Sequence, residues 1–278
     1  MQNPQPLQPL QPPQSNDGTQ SIHRAITILR VLATRRRIGW GLTDLTRACG
    51  LKKATTHRIL ARLVHERLVH RHAVGEHYFL GPMLAELALS IPGLDPFVES
   101  AKQLVNELAH ATQLICVLSL RSGDDFVVLA RASAPRLHSE LHEPGARRPL
   151  LTTAGGAAIL LTLDAATQQR IVQANREQLT ALGRSSIHSY LAMFERSRRM
   201  GCGANLGDVA PGLNALAWPA LGRSGAAFAS LTLAGADDML PLSRCDEVVL
   251  TLQRVAPRVA ELAACTHPDL YATGITEP

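Results

Sequence analysis

Aromatic residues are scarce in this 278-residue chain, 4% of it against 46% hydrophobic residues in all. Its cores must therefore be built mainly from Leu, Val, Ile and Ala. No apolar run approaches the length needed to span a bilayer. The N-terminus also lacks the basic-then-apolar pattern of a signal peptide, so a cytoplasmic protein is expected. The five cysteines (Cys49, Cys116, Cys202, Cys245 and Cys265) are scattered, and there is no CxxC pair. Neither a disulfide framework nor a thiolate zinc site is indicated.

Catalytic signatures are missing as well. There is no G-x-S-x-G nucleophile elbow, and Gly222–Gly225 (GRSG) reads as a hairpin turn. Residues 201–207 (GCGANLG) imitate a dinucleotide loop, but the third glycine is out of register and no βαβ unit surrounds it. His138 and His142 with Glu143 are the best metal lookalike. On a strand the two histidines share a face but lie roughly 13 Å apart, too far for one ion; on a helix they would be close. His70, His72 and His77 with Glu76 fall on a solvated hairpin loop. The expectation is no catalytic residue, no metal and no cofactor.

What is present is a charge asymmetry. Residues 19–81 hold twelve Lys/Arg against three Asp/Glu, a net of +9, and the whole chain is only +5, so the remainder is −4. One strongly basic part is the footprint of a domain that meets a polyanion.

That part contains Leu42–Leu63 (LTDLTRACGLKKATTHRILARL), read as a helix-turn-helix. Before it, Ser21 is placed as the cap of a helix over 22–34 whose buried face is Ile22, Ala25, Ile26, Leu29 and Leu32. Arg35, Arg36 and Arg37 follow, suited equally to the helix dipole and to phosphate. A short helix from Thr43 turns Leu45 and Ala48 inward, Gly50 supplies the tight turn, and Leu51 plugs the angle. The second helix, about 53–66, buries Ile59, Leu60 and Leu63. Its start carries the residues placed to meet double-stranded DNA: Lys52, Lys53, Thr55, Thr56, His57, Arg58 and Arg62. Arg58 suits a bidentate pair with guanine and the threonines a base edge or phosphate oxygen, while Lys52, Lys53 and Arg62 suit phosphates. Leu68-Val69 and Tyr78-Phe79-Leu80 around Gly75 read as a wing.

Five segments are expected in all. Residues 1–18, rich in Gln and Pro, form a disordered tail, and 19–81 the winged helix-turn-helix. Residues 82–94 are a linker helix that pairs with its copy in a second subunit. Residues 95–265 are an effector-binding and oligomerisation domain, and 266–278 a flexible tail. In the larger domain an amphipathic helix runs to about Ala111. Hairpins follow at 113–133 and 215–235, a further strand at 137–142, a helix from Thr153, helices at about 165–180 and 187–200, and a last helix over 243–264. This is an α/β (α+β) domain with a mainly antiparallel sheet.

The order of these parts resembles the IclR-type bacterial transcription regulators. The resemblance rests on RAITILRVL, GLKKATTHRILARL, YFLGPMLAELA, RRPLLTTAGGAAIL and GDVAPGLNALAWPA, and covers about residues 21–264. It implies a GAF-like effector domain, a homodimeric or homotetrameric repressor or activator, and a small organic or aromatic carboxylic acid as effector, from a catabolic pathway. The family's pocket positions fall here on Ala154, Gly155, Asn205, Ala215, Thr232 and Ala234. Asn205 stands where relatives often have an acid, Ala215 where some have cysteine, Thr232 and Ala234 at two serine positions, and Ala157 at a basic one. These exchanges imply a bulkier, partly apolar ligand. In the DNA-reading part, Ala54 replaces a usual serine and Thr56 a usual apolar residue.

From the residues alone, a helix start at Thr153–Gly156 offers backbone N–H groups to a carboxylate, or its glycines serve only tight packing. Arg131, Arg147 and Arg148 could neutralise an anionic effector, but exposed arginines are more often solvated, and they are not included in the pocket. Two alternatives stand beside the sensor: a DNA-binding protein whose larger domain only oligomerises, and an enzyme.

Overall fold

The computed structural model describes residues 17–35, 38–72, 75–133, 143–181 and 187–266. They form two compact units, divided between Glu86 and Leu87.

The first unit contains α1 (Asp17–Leu32), α2 (Leu42–Ala48), α3 (Lys53–His65), β1 (Val69–Arg71) and β2 (Tyr78–Leu80). Its core joins Ile28, Leu32, Leu45, Leu60 and Leu63 to Val69 and Tyr78 of the wing. The helix α1 begins four residues before Ser21, so Ser21 is an interior residue and not its cap. Its buried stripe keeps Ala25, Leu29 and Leu32 of the expected face, adds Ile28 and omits Ile22 and Ile26. Ile28 and Leu32 are fully buried, whereas Ile22 and Ile26 are 66% and 43% exposed. The apolar residues of α1 form two stripes, and only the one reaching α2, α3 and β2 is covered within this unit. Ala48 is exposed as well, leaving Leu45 as the buried anchor of α2.

Gly50 adopts φ +64°, the left-handed turn that joins α2 to α3. The wing pairs β1 with β2 antiparallel, and Gly75 in its turn has φ +87°. Trp40 extends this sheet by a bridge to Tyr78, with hydrogen bonds of 3.1 and 2.9 Å between their backbones. Arg35 lies 3.8 Å above the Trp40 ring, so this cation stacks on the core's tryptophan. Arg36 and Arg37 lie outside the described residues. On α4 (Met83–Leu89), Glu86 pairs with Arg67.

The second unit holds α5 (Leu94–Thr112), β3 (Ile115–Ser122), β4 (Asp125–Ala132), β5 (Arg147–Pro149), α6 (Ala154–Leu160), α7 (Ala165–Ala181), α8 (Ile187–Met200), β6 (Gly203–Leu206), β7 (Leu213–Leu221), β8 (Ala227–Ala236) and α9 (Cys245–Thr266). The strands form one sheet in the order β5-β4-β3-β8-β7-β6, every neighbouring pair antiparallel. Alternation along the strands feeds two cores. One face packs on α5 and α9 through Phe97, Leu104, Leu118, Leu233 and Leu252. The other packs on α6 and α8 through Val117, Phe126, Ile159 and Phe194. The expected hairpins and helices are present. The short strands β5 and β6 are additions, and the strand expected at 137–142 lies outside the described residues. No helix among the described residues is long and apolar enough to cross a membrane.

Candidate functional site

The start of α3 presents a basic surface. Lys52, Lys53, His57, Arg58 and Arg62 are exposed and Thr55 is half-buried. Lys52 occupies the N-cap and supplies no side-chain cap, so the first N–H groups of α3 have no side-chain acceptor. Arg62 is paired with Glu66 one turn on, which commits part of its charge within the helix. Thr56 does not belong to this surface. It is fully buried among the core residues, and its hydroxyl donates to the Lys52 carbonyl at 3.2 Å. At this apolar position a threonine is tolerated because its one donor finds a backbone oxygen.

A cavity of about 110 Å³ opens on the α6–α8 side of the sheet. All six residues placed in the pocket from the sequence, Ala154, Gly155, Asn205, Ala215, Thr232 and Ala234, line it. They come from α6 and from three adjacent strands. Thr153 caps α6 by accepting from the Gly156 N–H at 3.1 Å, so Ala154 and Gly155 are the helix-start residues that border the cavity. The two glycines have different work. A β-carbon on Gly156 would stand 1.9 Å from the Leu150 carbonyl oxygen, so this glycine lets two backbones meet. A β-carbon on Gly155 would meet the hydroxyls of Thr232 and Ser230 at 2.8 and 2.9 Å, on the cavity side. Both glycines therefore permit a close approach, Gly156 to backbone and Gly155 to two side-chain hydroxyls of β8.

Sequence reasoning named Thr153 at the helix start and set Arg148 aside, and it missed most of the remaining lining. Ile115, Val117 and Ser119 alternate along β3, and Tyr190 and Met193 stand three apart on α8. Both spacings are visible in the sequence. Phe126 and Arg148 come from the paired strands β4 and β5, and Val209 and Ala210 from the loop before β7.

Family models match both parts of the chain: the IclR helix-turn-helix domain over residues 21–73, and the C-terminal domain of the bacterial transcriptional regulator IclR over residues 95–261. The chain belongs to the IclR family of bacterial transcription regulators. A probable transcriptional regulator, SauR, of Cupriavidus necator is 29% identical over 226 residues, 79% of this chain and 87% of that protein. An IclR family regulator of Brucella abortus has a similar fold, with TM-score 0.69, 17% identity, and coverage of 87% of this chain and 92% of that one. An IclR homologue of Microbacterium hydrocarbonoxydans, solved with 4-hydroxybenzoate, has TM-score 0.63 at 16% identity, covering 88% of this chain and all of that one. The matching families and relatives act in transcription and are not enzymes.

In this IclR-family regulator, one cavity wall is a loop held by polar contacts. Asn205 accepts from the Val209 N–H at 3.0 Å and donates to the Leu213 carbonyl at 3.1 Å. Its amide therefore braces the loop at both ends, and only its remaining hydrogen-bonding capacity is left for a ligand. Outside the brace, Arg196 of α8 clamps Asp208 with two bonds of 2.9 and 3.0 Å. Burial alone would raise the Asp208 carboxyl, but hydrogen bonds from Arg196 and the Leu206 N–H, with the Arg196 charge, hold it below the ordinary carboxylate value. A depressed native pKa gives stability that is complete above the unfolded value, about 4. It is lost as pH falls through the native one. Asp208→Asn is accordingly expected to unfold at lower temperature than the parent near neutrality and to lose less on acidification towards pH 3. Parallel acid slopes for the two proteins in thermal melts would exclude the clamp.

Two further features bear on chemistry. Burial pushes the Cys49 and Cys202 thiols up to about 11 and raises Cys116 and Cys245, so these are packing residues rather than thiolates. Among the described residues no group of His, Cys, Asp and Glu is placed to hold a metal ion. His138 and His142 lie outside them.

Proposed function

We propose that this regulator senses a small organic acid in the α6–α8 cavity and adjusts its hold on operator DNA, so controlling a catabolic operon. The observation that carries the reading is the convergence of Ala154, Gly155, Asn205, Ala215, Thr232 and Ala234 on one cavity in the family's effector domain. The 4-hydroxybenzoate held by the Microbacterium homologue is of the same chemical class. Double-stranded operator DNA meets Lys52, Lys53, Thr55, His57, Arg58 and Arg62, with phosphate also favoured at the uncapped start of α3. The protein works in the cytoplasm as a homodimer or homotetramer, and the linker around α4 passes a change in the paired effector units to the two recognition helices. Such coupling requires the effector to bind the free and DNA-bound arrangements with different affinity.

The test is fluorescence anisotropy on an operator fragment selected from promoter DNA, titrated with aromatic and aliphatic acids. An effector is expected to shift operator affinity by about 5- to 150-fold. Identical acid affinity for free and DNA-bound protein would refute the coupling. If no acid alters DNA binding, the larger unit serves assembly alone.

A further inference from the structure

We propose that the β6–β7 loop, residues 207–212, is a gate on the cavity, and that the ion pair between Arg196 and Asp208 is its latch. The gate concerns entry to the cavity and stands whichever ligand the cavity takes.

The loop joins the edge strand β6 to β7 and sets Val209 and Ala210 against the cavity. Apart from the cap Thr153, these two are the only lining residues, among those described, that belong to no helix or strand. The loop turns at a glycine at each end, Gly207 with φ +79° and Gly212 with φ +77°. A β-carbon on either would meet nothing within 4 Å, so both serve the backbone turn and not close packing. Two such residues bracketing a short loop can absorb a swing of what lies between them.

The flanks are fixed. At a fully buried position on α8, the Ser197 hydroxyl accepts from the Ala204 N–H of β6 at 2.9 Å and donates to the Met193 carbonyl at 2.8 Å. That holds β6 to α8 just before the loop. Beyond it, β7 is paired with β8 from Leu213 onward, and the Asn214 amide donates to the Leu240 carbonyl at 2.9 Å. Movement is therefore confined to the loop itself.

Polar contacts close the loop more than packing does. Pro211 and Gly212 are exposed, and Val209 is the loop's one partly buried contribution to the apolar core. The Asn205 brace and the Leu206 N–H on Asp208 both form within the hairpin. Among the described residues, the Arg196–Asp208 pair is the only side-chain bond that reaches the loop from outside that hairpin. Met193 lines the cavity one turn before Arg196 on α8, so the pair ties the loop to the facing wall. Its strength suits a latch. Asp208 is nearly covered, but the Arg196 side chain keeps 34% of its surface exposed, and water can take over its bonds when the loop opens.

The test measures entry without a ligand. Full-length protein carrying Ala215→Cys in the cavity wall is treated with methyl methanethiosulfonate, and modification at each thiol is followed by peptide mass spectrometry. The natural Cys116, fully buried in the α5–α9 core, reports global unfolding in the same sample. Adding Asp208→Asn or Arg196→Gln is expected to speed modification at position 215 by about tenfold or more, the worth of a charged hydrogen bond in a local opening equilibrium. The rise should exceed any rise at Cys116. Both changes together should be no faster than the quicker single one, since each removes the same pair. Asp208→Glu should keep entry slower than Asp208→Asn. A second reporter, Thr232→Cys in the same cavity, should rank the variants alike. Modification that ignores the latch variants, that rises only in step with Cys116, or that ranks them differently at the two reporters overturns the gate. Additive effects of the two single changes overturn the latch.

Discussion

Gly156→Ala is expected to destabilise the effector unit by about 3 kcal/mol, with the thermal midpoint lowered by about 6–12 °C. The added methyl would stand 1.9 Å from the Leu150 carbonyl oxygen, and its next neighbours are also Leu150 backbone atoms. A backbone cannot rotate aside as a side-chain tip can, so α6 must part from the turn of 3₁₀-helix at Leu150–Thr152 that precedes it. That turn is pinned on its other side, where the Leu151 N–H donates to Asn175 at 3.0 Å. Gly155→Ala is the informative contrast. Its methyl meets two side-chain hydroxyls at 2.8 and 2.9 Å rather than backbone, so its cost to stability is expected to be smaller than that of Gly156→Ala, with some loss of space beside the cavity. Calorimetry on both variants separates the effects. A Gly156→Ala protein that melts with the parent would show that the two backbones do not touch.

The second large effect concerns DNA. The double reversal Lys53→Glu with Arg58→Glu is expected to weaken operator binding by more than about 100-fold near 0.1 M salt. It should also flatten the log–log dependence of affinity on salt, by a slope of about one for each phosphate no longer neutralised. Both side chains are exposed on the first two turns of α3, so the fold has no stake in them. Thr56→Val, three positions beyond Lys53, should leave operator affinity and base preference unchanged. Its hydroxyl is turned to the Lys52 carbonyl inside the core, where no base edge reaches. Measured salt series for the parent, the double variant and Thr56→Val decide the matter. A change of base preference in Thr56→Val would mean that α3 meets DNA along a different face.

These two regions also show what is legible in the sequence and why. The helix-turn-helix can be read because Gly50 and the spacing of Leu45, Leu60 and Leu63 each allow few other structures. The hairpins can be read for the same reason. The stripe of α1 cannot, because Ile22 and Ile26 are as apolar as Ile28, and only the partner elements decide which is covered. Thr56 misleads because a hydroxyl beside Lys53 and Arg58 looks like part of a polar face, and its burial depends on a bond to its own helix. In the effector unit the six pocket residues follow from resemblance to a family, and the structure brings them together. Arg148 escapes a sequence reading because nothing in the string Arg147-Arg148 says which arginine faces the cavity. That depends on the register of a three-residue edge strand, which has too little periodicity to be seen in advance.

The stacking of Arg35 on Trp40 has a practical consequence. The chain has two tryptophans, and they are divided between the units: Trp40 in the core of the first, and Trp218 on β7 of the second, packed towards the α9 face and away from the cavity. Each unit therefore carries one tryptophan, which can be excited apart from the tyrosines. Trp218→Phe leaves a light source that reports only on the DNA-reading unit, and Trp40→Phe leaves one that reports only on the sheet beneath the cavity. The two binding events can then be watched separately, in the same molecule, without an attached dye.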